Sequence, residues 1–208
     1  MIVDTLSDAI KNVWPMLVIF LVVLIAIRVS YIRINHEKFV FYKEFWNLIF
    51  VVYALLLFQL LTSTEMNTTS GLNLVPFTEI FRYKIGSKLF MFNVVGNILI
   101  FVPFGYFVSS YVKATKISHI LFISCITSLT VELVQLQIGR SLDIDDVLLN
   151  VVGSVLGFML FIGLSAIKKH LPRFLQSDLF YNVICVVLFL LFAIYFAQLI
   201  GLRWFNWL

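Results

Sequence analysis

Charged residues are scarce in this 208-residue chain, because Asp, Glu, Lys and Arg together make up 12% of it. A soluble domain carries roughly 25% charged residues. The hydrophobic share is 62% and the mean hydropathy is +1.03. We therefore expect an integral membrane protein without a separate soluble domain. The net charge of +4 is modest, and the basic residues are spread over short loops. This pattern is typical of topology signals and disfavours nucleic-acid binding.

Cysteine and histidine are also rare, with two and three copies. Cys125 and Cys185 lie in apolar segments without a Cys-x-x-Cys pair or a nearby histidine. A packing role is therefore expected for both, rather than a disulfide or a metal site. His36, His119 and His170 are too dispersed in sequence to indicate one metal site. The sequence predicts no cofactor.

Apolar runs long enough to cross a bilayer recur along the chain. A hydrocarbon core about 30 Å thick requires about 20 residues of helix. Six runs come close to this length, at about residues 14–27 with a possible extension to 32, 45–61, 90–112, 117–138, 147–167 and 179–202. Helices satisfy their own backbone hydrogen bonds within lipid. The sequence therefore predicts an all-α, polytopic membrane helix bundle with about six transmembrane helices, forming a single integral membrane domain over residues 1–208.

The distribution of Lys and Arg predicts the orientation of these spans. The loops that follow spans one, three and five hold nine Lys and Arg, against six on the other side. Positively charged loops stay in the cytoplasm. We therefore expect a multi-pass protein of the cell membrane with both termini outside.

The longest predicted connection, residues 62–89, lies on the outer side in this topology. Within it, apolar residues recur at helical spacing, at Phe77, Ile80, Phe81 and Ile85. Pro76 suits the first position of a helix and Gly86 suits its end. We expect a short amphipathic helix at the outer membrane interface. Arg82 on this helix would be available to an anionic head group.

Span four carries polar side chains at intervals of four, four and three residues, namely Ser124, Ser128, Glu132 and Gln135. That spacing places them on one helical face. A charged acid at the bilayer midplane costs at least ~2.5 kcal/mol on insertion scales. Glu132 therefore indicates a functional site. The serines and the glutamine also suit a packing seam that joins helices by hydrogen bonds.

Span three places Asn93 and Asn97 four residues apart on one face, near the same membrane surface as Glu132. Pro103 removes an amide donor and leaves the Leu99 carbonyl without its helical partner. We expect a kink below the asparagines that opens room for a pocket. An ordinary transmembrane proline, which helix bundles tolerate, is the alternative.

Span five aligns four residues on one face: Asp146, Asn150, Gly153 and Gly157. The Gly-x-x-x-Gly pair lets another helix approach closely. Carboxylates in a first helical turn also suit the positive end of the helix dipole. Asp143 and Asp145 are therefore candidates for mere helix caps. Asp146, which is aligned with Asn150, is the stronger functional candidate.

Taken together, three spans and their loops are predicted to build one ligand-binding site that faces outside, made of Asn93, Asn97, Glu132, Gln135, Arg140, Asp143, Asp146 and Asn150, with Arg82 as a further contact. Arg140 is the natural bidentate partner of a carboxylate or of a ligand phosphate. Glu132, Asp143 and Asp146 could instead hold a divalent cation through oxygen ligands. No spacing among them is diagnostic of a metal.

These motifs resemble the VanZ-like family, which is named for a teicoplanin-resistance membrane protein of Gram-positive bacteria. The resemblance covers about residues 72–165 and is carried by Val75-Pro76-Phe77, Asn93-x3-Asn97, Phe101-x-Pro103-x-Gly105, Glu132-x2-Gln135, Arg140-x2-Asp143-x2-Asp146, Asn150-x2-Gly153 and Gly157. It implies a cell-envelope protein associated with lowered susceptibility to teicoplanin-type lipoglycopeptides. It supplies no established reaction.

Three functions are open on this evidence. In the first, the protein, surrounded by membrane lipids as partners, binds or modifies an anionic lipid-linked cell-wall precursor or the lipoglycopeptide itself. The second is an enzyme for a phosphate-containing envelope lipid, with Glu132 as general base and Arg140 and Asp146 positioning the substrate. The third is a lipid or solute transporter. It is disfavoured because the chain has no evident internal repeat and no charged residue continues the polar path towards the cytoplasmic half.

Overall fold

The structure is a computed structural model that describes residues 2–62 and 71–199. Its elements are, in order, α1 (Ile2–Ile34), α2 (Phe41–Thr62), β1 (Leu72–Asn73), α3 (Thr78–Arg82), α4 (Lys88–Phe90), a π-helical turn (Met91–Val95), α5 (Gly96–Val112), α6 (Ile117–Gln137), β2 (Leu142–Asp143), α7 (Ile144–His170), a 3-10 turn (Arg173–Gln176) and α8 (Asp178–Leu199). The predicted all-α fold is confirmed.

Five helical stretches of the described residues are long and apolar enough to cross a membrane: Phe41–Leu61, Lys88–Val112, Ile117–Gln137, Ile144–His170 and Asp178–Tyr195. They correspond to the second to sixth predicted spans, and the protein is a multi-pass membrane protein. The first predicted span falls within α1. Residues 200–202 of the last predicted span, and residues 63–70 of the predicted outer loop, lie outside the described part of the chain.

The chain divides into two compact units, Met1–Val18 with Val52–Ala166 and Ile19–Val51 with Ile167–Leu208. In the second unit, the Arg28 guanidinium donates to both carboxylate oxygens of Glu44 at 2.8 and 2.9 Å, which joins α1 to α2. In the same unit, the Tyr42 N–H donates to Asn182 Oδ1 at 2.9 Å and joins α2 to α8. All predicted site residues belong to the first unit.

Helices α5 and α7 of the first unit touch through their backbones. A Cβ added to Gly105 would lie 2.0 Å from the Ser154 carbonyl oxygen, and one added to Gly157 would lie 2.1 Å from the Val102 carbonyl oxygen. A Cβ on Gly153 would meet the Ile98 carbonyl oxygen at 2.2 Å. Gly153 faces Ile98, and four residues later in both helices Gly157 faces Val102. Helices α5 and α7 therefore run parallel. The close helix approach predicted from Gly153 and Gly157 is confirmed.

Helix α5 continues from Gly96 to Val112 through Pro103, so this proline does not end the helix, and the kink expected there stays a prediction. A departure from α-helical geometry lies before α5, in the π-helical turn Met91–Val95. The Tyr53 hydroxyl donates to the Ile100 carbonyl at 2.6 Å, next to the Leu99 carbonyl that Pro103 leaves without its helical donor. Through this hydrogen bond, α2 contacts the turn of α5 that contains Pro103.

The segment from Gly71 to Ser87, termed the 71–87 loop, is fixed near the start of α7. Strands β1 and β2 pair in parallel, with Leu72 opposite Leu142 and Asn73 opposite Asp143. The Leu142 N–H also donates to the Gly71 carbonyl at 3.1 Å. The ladder is only two residues long, yet it joins segments seventy residues apart in sequence.

The helix within this loop is shorter than the sequence predicts. Phe77 precedes α3 with a φ of 69°, and the extended Tyr83 ends it. Gly86, with a φ of 81°, lies in a separate turn closed by a 2.9 Å hydrogen bond from the Ser87 N–H to the Lys84 carbonyl. The predicted start at Pro76 and end at Gly86 are therefore wrong. Gly86 serves a turn that begins after the helix has ended.

Candidate functional site

Polar side chains interlock at one end of the first unit. We term this set the polar network: Asn73, Asn97, Ser128, Glu132, Gln135, Arg140, Asp143, Asp145, Asp146 and Asn150. Most of them lie at the start of α5, the end of α6 or the start of α7. Helix α6 connects to α5 and α7 through short loops and returns between two parallel helices. These three helix ends therefore meet. All residues of the predicted ligand-binding site except Asn93 and Arg82 belong to the polar network formed there.

Glu132 is buried, with 1% of its surface exposed, and its carboxylate holds the loop between α6 and α7. Its Oε2 accepts the Asp143 N–H at 3.0 Å. The Asp143 side chain accepts the Asp145 N–H at 2.8 Å and the Asn73 Nδ2 amide at 3.2 Å. Asp143 thus caps α7 and ties it to β1. Burial raises the pKa of Asp143, although both of these hydrogen bonds lower it.

Two amide side chains cross-link the three helices. Asn97 Nδ2 donates to Asp146 Oδ1 at 2.6 Å and joins α5 to α7. One helical turn further on, Asn150 Nδ2 donates to Ser128 Oγ at 2.9 Å and joins α7 to α6. Both Asn150 and Ser128 are buried. The spacing of Asp146 and Asn150 on α7 therefore serves a different neighbouring helix at each position.

Arg140 and Gln135 converge on the end of α2. Arg140 NH1 donates to the Leu61 carbonyl at 2.9 Å, and Gln135 Nε2 donates to the same oxygen at 3.0 Å. The Arg140 guanidinium also interacts electrostatically with the carboxyl groups of Glu132 and Asp146. The network therefore places one guanidinium near the buried Glu132 carboxyl and the partly buried Asp146 carboxyl.

Gln135 has an unsatisfied acceptor. Its Oε1 is buried and receives no hydrogen bond within the described structure. Gln135 borders a cavity of about 70 Å³ between α2 and α6, whose other walls include Phe58, Leu61 and Val134. An unpaired buried acceptor costs ~1–3 kcal/mol. A donor group that entered this cavity, from a ligand or from water, would recover that free energy.

Asp145 is fully buried and holds the 71–87 loop. One carboxylate oxygen accepts the Phe77 N–H, and the other accepts the N–H groups of Glu79 and Ile80 at 2.7 and 3.2 Å. These are donors at the start of α3, so Asp145 caps a helix that lies more than sixty residues earlier in the chain. The sequence suggested a cap at Asp145, but local spacing carries no signal for a partner so distant.

Two predicted site residues make their described contacts elsewhere. Asn93 Nδ2 donates to the Leu89 carbonyl of its own helical turn at 3.1 Å. Arg82, whose side chain is 67% exposed, pairs with Glu79 at 2.9 Å. Across residues 2–62 and 71–199, no group of three His, Cys, Asp or Glu side chains has the arrangement of a metal site. The geometry therefore gives no support to a cation held by Glu132, Asp143 and Asp146.

Comparison with known proteins identifies the family of this fold. The family model described as VanZ/LLP1 matches residues 45–169, which is more than half of the chain. The chain belongs to the VanZ/LLP1 family. The matched residues include the whole polar network. They extend in both directions beyond residues 72–165, the range over which the sequence motifs resemble the family. The chain is also similar to protein VanZ of Enterococcus faecium, with 30% identity over 124 residues, which are 59% of this chain and 71% of that protein. No solved structure matches.

Proposed function

We propose that this protein lowers susceptibility to teicoplanin-type lipoglycopeptides through its polar network, which faces the outside of the cell. There it binds or modifies an anionic, lipid-linked envelope molecule such as a cell-wall precursor, or binds the acylated drug itself. Membership of the VanZ/LLP1 family supports the resistance function. The location of the site rests on the unpaired Oε1 of buried Gln135 beside Arg140.

The chemistry of the network favours a ligand with both a hydrogen-bond donor and an anionic group. Gln135 Oε1 is an acceptor that requires an N–H or O–H donor. Arg140 supplies the planar, permanently charged group that suits a phosphate or carboxylate. Both residues are fixed on the Leu61 carbonyl, which orients them before any ligand arrives. The apolar wall of Phe58 and Val134 beside them suits a lipid chain.

Susceptibility measurements on variants test the site. Glu132→Gln, Arg140→Ala and Asp146→Ala are expected to reduce teicoplanin resistance towards that of cells without the protein. Ser124→Ala is the matched control, because Ser124 is buried on the same face of α6 but, among the described residues, its hydroxyl donates to carbonyls of its own helix alone. Membrane levels are checked by immunoblot. Full teicoplanin resistance in all three network variants, with the protein present in the membrane at wild-type levels, would refute this site. A loss of resistance in Ser124→Ala equal to that of the network variants would refute it too.

Cysteine labelling tests the orientation separately. Ser141 is exposed in the loop between α6 and α7, and Thr115 is exposed at the other end of α6. In a background without Cys125 and Cys185, a membrane-impermeant maleimide applied to intact cells is expected to label Ser141→Cys but not Thr115→Cys. The reverse pattern would place the polar network on the cytoplasmic side.

A membrane enzyme acting on a phosphate-containing envelope lipid is the second candidate. The observation that favours it is the burial of the Glu132 carboxyl near the Arg140 guanidinium, since a general base and a phosphate-binding cation must lie close together. Asp146 would assist in positioning. Mass spectrometry of envelope lipids and wall precursors, with wild-type protein or Glu132→Gln, separates the candidates. Identical mass inventories in cells that differ in resistance would favour binding over catalysis.

A further inference from the structure

A cavity of about 400 Å³ opens where the short connection 113–116 joins α5 to α6. It lies at the opposite end of α6 from the polar network. Ser118 lines the cavity, and Glu132 is fourteen residues further along the same helix. At a rise of 1.5 Å per residue this separates the two by about 21 Å. The cavity is therefore distinct from the site proposed above.

The walls of the cavity divide into a donor side and an apolar side. Lys113, Thr115, Ser118 and His119 contribute the ammonium, hydroxyl and imidazole groups, while Phe122 and Ile123 contribute apolar surface. All four polar residues carry hydrogen-bond donors. This arrangement matches a molecule that has an anionic head and a hydrocarbon tail.

The charge on the described lining of the cavity is of one sign. The acidic side chains of residues 52–62 and 71–166 are Glu79, Glu132, Asp143, Asp145 and Asp146. All of them lie in the 71–87 loop or the polar network, and none lines the cavity. Lys113 is therefore the charged group that lines it, with Lys116 as a second cation in the same connection. An anion is the complementary occupant.

The connection that forms the cavity is held by the helices beneath it. Ala114 is 3% exposed, packs with Ile120 and Phe158, and donates its N–H to the Ser109 carbonyl at 2.9 Å. Lys113 adopts a φ of 53°, a left-handed conformation that is uncommon outside glycine. The Lys113 side chain thus stands on a fixed turn, so the cavity exists before a ligand binds.

We propose that this cavity binds an anionic membrane phospholipid. The phosphate contacts Lys113 and the neighbouring hydroxyl groups, and an acyl chain lies against Phe122 and Ile123. In the predicted topology this lipid comes from the inner leaflet. The proposal does not depend on the function of the polar network.

Native mass spectrometry of the purified full-length protein tests the proposal. The protein in detergent is given equal amounts of phosphatidylglycerol and phosphatidylcholine with the same acyl chains. Wild type is expected to retain phosphatidylglycerol preferentially, and Lys113→Gln is expected to weaken that retention about fivefold. Lys116→Gln is the matched control, because it removes the same charge from the same connection but from a residue that does not line the cavity. The loss of phosphatidylglycerol retention in Lys116→Gln is expected to be less than half of the loss in Lys113→Gln.

Two further arms address the cavity and the source of the phosphate. Ser118→Phe, which fills the space without changing the charge, is expected to reduce retention as much as Lys113→Gln. Inorganic phosphate is expected not to displace the lipid, since it cannot use the apolar wall. No lipid preference in wild type, equal losses in Lys113→Gln and Lys116→Gln, or displacement by inorganic phosphate would each overturn the proposal. Thermal unfolding of each variant in the same detergent verifies that the folded protein is being compared.

Discussion

Asn97 and Asp146 join the first turns of α5 and α7 through a hydrogen bond of 2.6 Å. Further along the same pair of helices, Gly153 and Gly157 bring the two backbones into contact. The two helices are thus fixed by a polar contact at one end and by backbone packing beyond it. As a result, the Asp146 carboxylate has a defined orientation within range of the Arg140 guanidinium.

Asn97→Ala is expected to lower the free energy of unfolding by ~1–3 kcal/mol, because it leaves a largely buried carboxyl without its amide donor. Asn93→Ala is the matched control, since the Asn93 amide bonds within its own helical turn. Thermal unfolding in detergent measures both. Equal effects of the two substitutions would show that the Asn97–Asp146 contact carries no particular stability.

Gly157→Ala is expected to destabilise the first unit by ~1–3 kcal/mol or more, because its Cβ would collide with backbone atoms of α5 that cannot rotate away. Gly163→Ala in the same helix is expected to be neutral or slightly stabilising, since no described heavy atom beyond the adjacent residues and the surrounding helix backbone lies within 4 Å of the added Cβ. The melting temperatures of the two variants test this difference. A neutral Gly157→Ala would contradict the close packing of α5 and α7.

Asp145→Ala is expected to release the 71–87 loop, because three backbone N–H groups lose a buried carboxylate acceptor. Trypsin cleavage after Arg82 or Lys84 should then be faster by at least about tenfold, which corresponds to ~1.4 kcal/mol of local stability. Glu79→Gln is the control, since it alters a surface ion pair of the same loop but keeps its N–H. Unchanged cleavage in Asp145→Ala would show that the loop has another anchor.

The pH dependence of stability is expected to carry a contribution from Asp143. Burial raises its pKa, so the folded protein holds this proton more tightly than the unfolded chain does. The stabilisation is therefore full at low pH and is lost as the pH rises through the raised pKa. Asp143→Asn removes this titration and keeps an oxygen for the Asp145 N–H. The amide nitrogen of the variant cannot accept the hydrogen bond from Asn73 Nδ2, which is a cost at every pH. Relative to wild type, the melting temperature of Asp143→Asn should therefore be highest at neutral pH and should decrease as the pH falls towards about 4. A difference independent of pH would contradict this.

The membrane helices were predictable because their signal is local. Span four was expected at residues 117–138 and α6 occupies Ile117–Gln137. Span three was expected at 90–112, and the helical stretch runs from Lys88 to Val112. Length and hydropathy decide these positions, since a bilayer-crossing segment must satisfy its backbone internally. Helical spacing likewise identified the faces of α6 and α7 that meet in the polar network.

The contacts within the site were less predictable, because they depend on which helix ends meet. Asp145 was a candidate for a cap of its own helix, whereas its carboxylate accepts backbone N–H groups of the 71–87 loop, more than sixty residues earlier in the chain. Asn93 and Asn97 share a helical face by simple spacing, but the π-helical turn at Met91–Val95 changes the local register, and only Asn97 reaches α7. The spacing of the two asparagines alone does not predict that turn.

Asp145 holds α3 in a way that does not depend on the side chains of that helix. Its carboxylate binds main-chain amides, and any residue other than proline offers the same donor at positions 79 and 80. The solvent-facing side chains of that short helix are therefore not needed to keep it in place. Substitutions of these side chains are therefore expected to leave the position of α3 unchanged as long as Asp145 is kept.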